Sequence, residues 1–183
     1  MTPRAITIRP AEPRDAQAIA TMSREFIESG LGWKYDAARV LRAMRDRETL
    51  AVVACEGAKG AASSARSAIA GFAIMEFGDE RAHLVLLAVR PSHRRLGIGQ
   101  RMLDWLLDSA RVAGMASIHL ELRTGNDAAR RFYRAMGFYE TVLVPGYYRS
   151  GEGRKEGALR MLRVLRSPGP VPYTWRPPRT EDT

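Results

Sequence analysis

A single cysteine, Cys55, stands among 183 residues and excludes an internal disulfide framework. It lies in the apolar run "LAVVACEG", where it reads as a small buried hydrophobe rather than a reactive thiol. No apolar run approaches the roughly 20 residues that cross a bilayer, so no membrane association is expected. The start, "MTPRAITIRPAEPRDAQ", lacks the apolar core of an export signal, which makes the cytoplasm the expected location. Histidine is scarce. His83, His93 and His119 lack ligand spacing with one another or with Cys55, so no metal site is expected. Acidic residues number 20 against 29 basic ones, a net charge of +9. That surplus favours an anionic partner, which leaves nucleic acid, a ribosome, an acidic peptide or a phosphorylated cofactor open.

The length suits one domain with a proper core. Strands are expected at Ala5 to Arg9, at "TLAVVACEG", "IAGFAIMEF" and "AHLVLLAV", at the alternating "ASIHLELR", and at "FYETVLV" and "ALRMLRVL". "AHLVLLAV" is apolar almost throughout, as a strand covered on both faces would be. A first helix starts near Pro13 to Asp15 with Ile19, Met22, Phe26 and Ile27 on one face, and "KYDAARVLRAMRDRE" gives a second. A third carries Met102, Leu103, Leu106, Leu107 and Ala110 at helical spacing and ends at Gly114. A short fourth runs from Asn126, a candidate N-cap, to a stop at Gly137. The small-residue stretch Ala58 to Ala68 reads as a hairpin loop, and "PGYYRSGEGRKEG" as the connection between the last two strands. Residues 1–166 make the domain. From Ser167 onward, five prolines in 17 residues mark a flexible tail. The fold class is α/β, a mixed central sheet of about six to seven strands flanked by helices.

"VRPSHRRLGIGQRMLDWLLDSA", Val89 to Ala110, sets arginines around Gly97-Ile98-Gly99 and runs into the third helix. Glycines let the backbone turn tightly and bring N–H groups close to a ligand. The first turn of a helix has N–H groups without intrahelical partners, at the positive end of its dipole. With Arg94, Arg95 and Arg101 at the rim, a pyrophosphate suits the place. A nucleotide P-loop would need Lys followed by Ser or Thr, which is missing here. A dinucleotide fingerprint would need a third glycine where Met102 stands.

Strand "VLLAV", then Arg94-x-x-Gly97-x-Gly99, a helix, strand "IHLELR", then Asn126, Ala129, Tyr133 and "MGF" in order resemble the GNAT N-acetyltransferases, over roughly Ile6 to Leu165. The resemblance implies a GNAT fold and acetyl-CoA as cosubstrate, with no metal. It implies that the backbone N–H groups of Arg95, Leu96, Gly97, Ile98, Gly99 and Gln100, with Arg94 beside them, hold the pyrophosphate. The main chain of Leu87, Ala88 and Val89 would pair with the pantetheine arm as an added strand, near Asn126 and Ala129.

Leu120-Glu121-Leu122-Arg123 leading to Asn126, and Phe132-Tyr133 before Gly137-Phe138, resemble the ribosomal-protein N-terminal acetyltransferases. That likeness implies Glu121 as general base and Tyr133 as general acid. Tyr147 and Tyr148, in the hairpin before the last strand, would wall a slot for a peptide N-terminus. Two departures stand out: Glu156-Gly157 replaces a usual acidic pair, and Arg160 stands where an apolar residue is common. The resemblance implies transfer of an acetyl group to a primary amine, foremost a protein or peptide α-amine. A polyamine, an amino acid or an aminoglycoside is the alternative. A basic protein that keeps the fold without turnover, binding nucleic acid, is the least supported, since no aromatic residues interleave with the arginines.

Overall fold

The computed structural model describes residues 5–57, 68–149, 153 and 155–166. The expected loop from Ala58 to Ala68 lies almost wholly outside these residues, and the proline-rich tail lies outside them entirely. The chain order is β1 (Ala5–Pro10), α1 (Ala16–Phe26), α2 (Ala37–Arg45), β2 (Thr49–Gly57), β3 (Ile69–Phe77), β4 (Arg81–Val89), α3 (Ile98–Val112), β5 (Ser117–Arg123), α4 (Asp127–Ala135), β6 (Tyr139–Arg149) and β7 (Lys155–Val164). Seven strands form one mixed sheet in the order β1-β2-β3-β4-β5-β7-β6, flanked by the four helices. Every pair is antiparallel except β4 with β5.

Each face of the sheet is covered by the helices whose apolar stripes match it. On one side α3 packs Met102, Leu103, Leu106, Leu107 and Ala110 against Val52, Ala73, Met75 and Leu84. On the other, Ile19, Met22 and Val40 of α1 and α2 meet Val53, Phe72, Ile74, Leu86 and Ala88. β4 serves both sides because its register slips. Leu84 pairs with Met75 and Leu86 with Ile74, which leaves Val85 as an extra residue. That bulge turns Ala82 and Leu84 to the α3 side, then Leu86 and Ala88 to the opposite side.

Caps fall where the short polar residues stand. The Asp36 carboxylate accepts from Arg39 N at 2.7 Å, so α2 begins at Ala37 rather than at Lys34. Asn126 Oδ1 accepts from Ala129 N at 3.1 Å at the start of α4. Glu28, though buried, accepts from Ser23 Oγ and from Lys34 N and Tyr35 N, which pins the connection between α1 and α2. The last hairpin departs from expectation. Strand β6 continues through Pro145 and Gly146 to include Tyr147 and Tyr148, and β7 already begins at Lys155. An edge strand tolerates proline because no neighbour needs its N–H, and Gly146 at φ 64° absorbs the irregular register that follows Val144.

Candidate functional site

The parallel ladder between β4 and β5 is short. It runs only from Arg81–Ser117 to His83–His119. Beyond that the bulge at Val85 carries β4 away from β5, and the two strands part around a cavity of about 430 Å³. Its walls are Leu84 to Leu87 from β4, Leu120 to Arg123 from β5, Asn126, Ala129 and Tyr133 around α4, Tyr148 and Glu156 from the last hairpin, and Phe26, Ile27 and Ser29 from the end of α1. Arg123 bridges its mouth, donating to Ser29 O at 2.9 Å and to Glu156 at 2.7 Å.

Glu121 lies at the deep end and its side chain is only 5% exposed. Both carboxylate oxygens are taken: Oε2 by His83 Nε2 at 2.8 Å and Oε1 by Arg160 Nε at 2.7 Å. Burial alone would raise its pKa, but the bonds from His83 and Arg160 outweigh that and hold it down at about 2. Tyr133 projects from α4, edge-on to Phe132 and Phe138. Burial pushes its phenol well above the ordinary value, so it stays protonated at any physiological pH. Its hydroxyl has no hydrogen-bond partner among the described residues.

The glycine loop follows β4 at the other end of the strand. Arg95 and Gly97 both have positive φ, 65° and 74°, and Gly97 caps α3. No backbone carbonyl or side chain among the described residues accepts from the N–H groups of Arg95 through Gln100. A run of unpaired donors at a helix N-terminus fits a diphosphate. Glycine at position 97 is required by φ rather than by crowding, since nothing lies within 4 Å of where its Cβ would stand. The neighbouring arginines are partly engaged: Arg94 donates to Val89 O at 3.1 Å and Arg101 to Ile6 O at 2.9 Å.

The cavity thus gathers Leu87, Glu121, Asn126, Ala129, Tyr133 and Tyr148. Ala88, Val89 and residues 94–100 lie outside its lining, farther along the same strand and its loop. Tyr147 stands 44% exposed beside Tyr148, their rings 4.9 Å apart and edge-on. Two residues of the site went unread in the sequence, His83 and Arg160. His83 meets β5 only through a parallel pairing whose register no local pattern carries. Arg160, an oddity in the sequence, is the cation that Glu121 needs once buried.

The expectation that the histidines lie apart is corrected for one pair. Pairing of β4 with β5 places His83 and His119 together with Glu121, their potential ligand atoms within 4.8 Å of one another. The two rings stack at 4.5 Å with 3° between their planes. Lone pairs in parallel ring planes cannot converge on one ion about 2 Å from each. Arg160 also bonds the carboxylate, which leaves these three side chains joined as a hydrogen-bonded and stacked cluster.

Comparison with known proteins bears on this geometry. Residues 19–138 match the model of the acetyltransferase (GNAT) family. A [ribosomal protein bS18]-alanine N-acetyltransferase of Escherichia coli strain K12 is 33% identical over 96 residues, which are 52% of this chain and 65% of that relative. The chain therefore spans just under two thirds of the curated relative it matches. Among solved structures, Ard1 from Thermoplasma volcanium superposes with a TM-score of 0.73 at 27% identity, over 89% of this chain and 99% of that one. The ribosomal-protein-S18-alanine N-acetyltransferase from Escherichia coli superposes with a TM-score of 0.69 at 25% identity, over 92% and 99%.

Proposed function

This chain belongs to the acetyltransferase (GNAT) family, and from that premise we propose that it moves an acetyl group from acetyl-CoA to the α-amine of a protein N-terminus. The observation that carries the reading is the cleft between the parted β4 and β5, with Tyr133 and Glu121 on its walls. In this reading the N–H groups from Arg95 to Gln100 hold the pyrophosphate, with Arg94 and Arg95 at the rim. The main chain of Leu87, Ala88 and Val89 pairs with the pantetheine arm. The carbonyl of Val89 keeps a lone pair for that purpose beside the bond from Arg94. Asn126 and Ala129 flank the arm where α4 begins.

The chemistry favours an α-amine. An amine attacks only when neutral, and at pH 7 a lysine side chain pays about 4.6 kcal/mol to lose its proton against about 1–1.4 kcal/mol for an α-amine. Among the described residues the cleft also lacks free negative charge for a polycation. Its carboxylates are Glu121, paired with Arg160, and Glu156, paired with Arg123. A polyamine finds no unpaired carboxylate on that lining. Tyr148, which donates to Glu121 O at 3.2 Å, and the exposed Tyr147 wall the entrance through which a chain end would pass.

Tyr133 is the proton donor to the departing thiolate. It lies in the cleft and keeps its proton until a strong acceptor arrives. Glu121, bonded by His83 on one oxygen and Arg160 on the other, serves in this reading to fix and charge-balance the group that takes the amine's proton. The test is thiol release from acetyl-CoA with a panel of short peptides and a panel of small amines. Turnover with peptides bearing small N-terminal residues is expected. Turnover with spermidine-like amines and none with peptides ends the reading.

A further inference from the structure

Resting on that reading, we infer that His83 is the group that takes the proton from the attacking amine, with Glu121 as its positioning partner. The geometry of the pair carries this. Glu121 Oε2 sits 2.8 Å from His83 Nε2, and a carboxylate can only accept. The hydrogen therefore resides on Nε2, and in the neutral ring the lone pair lies on Nδ1. That nitrogen has no partner among the described residues. The side chain of His83 is 29% exposed where that of Glu121 is 5% exposed, so beside a carboxylate that lines the cleft the imidazole is the group more open to an amine or a water.

The remaining neighbours fit the role. His119 stacks flat against the ring at 4.5 Å and keeps it from turning. Burial, and next the neighbouring His83, lower the pKa of His119, so it stays neutral behind its partner. The other groups of this cluster are Glu76 of β3, paired with His83 in register, Arg160 of β7 on the shared carboxylate, Tyr147 of β6, which feels the charges of Glu121 and Arg160, and Tyr35 before α2, which feels that of Glu76. Arg160 bonds the second oxygen of Glu121, which keeps the carboxylate ionised whether or not the imidazole carries charge. The position is also apt in the fold. His83 and His119 are the last pair before β4 and β5 part, at the apex of the opening.

The step balances as follows. The amine nitrogen bonds to the thioester carbonyl carbon, and the carbon–sulfur bond breaks. The proton shed by nitrogen passes to His83 Nδ1, directly or through one water, and the Tyr133 hydroxyl proton passes to sulfur. Imidazolium and phenolate then exchange one proton through solvent, with no net gain or loss.

The experiment uses the full chain with acetyl-CoA and the best peptide of the panel. Two groups must be neutral, the amine and the imidazole, so log kcat/KM should rise with a limiting slope of 2 at low pH. H83Q should lower kcat about 10²–10³-fold and reduce the low-pH slope to 1, with acetyl-CoA Kd within about twofold. Added imidazole should restore part of the rate in H83A, which a merely structural histidine would not allow. E121Q should keep the slope of 2 but lower kcat by a smaller factor. Wild-type turnover with H83Q equal in kcat and slope overturns the proposal alone. A slope of 1 in the wild type, or no imidazole rescue in a folded H83A, overturns it as well. Absence of wild-type turnover on every amine removes the acetyltransferase reading and this proposal together.

Discussion

Tyr133 separates chemistry from stability at the scale of one residue. Its hydroxyl makes no bond to the described protein, while its ring fills space against Phe132 and Phe138. Tyr133→Phe keeps the ring and removes only the proton donor. Turnover should fall about 10²-fold, with acetyl-CoA affinity and melting temperature near wild type, as steady-state kinetics, calorimetric titration and a thermal melt would report. A variant of equal turnover would take Tyr133 out of the reaction. Glu121 and Tyr133 could be singled out in the sequence because strand phase and family spacing both point to them. Their partners could not. Ion pairs such as Glu121 with Arg160 join residues 39 apart, and nothing in either neighbourhood announces the other.

The element that decides the site is β4, whose bulge opens the cleft and whose end leads into the glycine loop. Its neighbour β3 carries Gly71, opposite Val89 in the register. A Cβ at Gly71 would stand 2.9 Å from Met102 Cε and 3.0 Å from Ala88 O. Methionine can move aside, but the carbonyl cannot without disturbing the strand. Gly71→Val should therefore cost about 1–3 kcal/mol, read as a lower urea midpoint, and should weaken acetyl-CoA binding by displacing the start of α3. An unchanged midpoint would mean that the sheet yields there freely. Helix positions were legible because their apolar spacing and caps are local. The bulge was not, since "VLLAV" reads the same with or without a register slip. The extended last hairpin was hidden for a related reason, because Pro145 and Gly146 signal a turn unless the strand is known to be an edge.

Acid should find the site before the core, at the scale of the whole molecule. The bonds from His83 and Arg160 hold the Glu121 carboxyl down at about 2, against 4.5 for a free side chain. Asp15, held by Arg9 at 2.7 and 3.0 Å, is likewise lowered despite its burial. Groups lowered on folding contribute stability above their unfolded pKa and lose it as pH falls through the folded one. Urea unfolding should thus show stability easing below about pH 6.5, where His119 takes up a proton in the unfolded chain first, and a further decline below about pH 5, with about 3 kcal/mol traceable to Glu121. E121Q should show a shallower decline between pH 4.5 and 2, and a parallel curve would refute the pairing. The net charge of +9 adds self-repulsion as carboxylates protonate. The sequence by itself determined the helices, most strand positions, the glycine loop and the two residues Glu121 and Tyr133, because periodicity, capping and spacing act over a few residues. Only the tertiary structure decided where β4 leaves β5, which histidine meets the carboxylate and which arginine balances it. Those contacts depend on register between strands distant in the chain, and register is settled by packing both faces of the sheet at once.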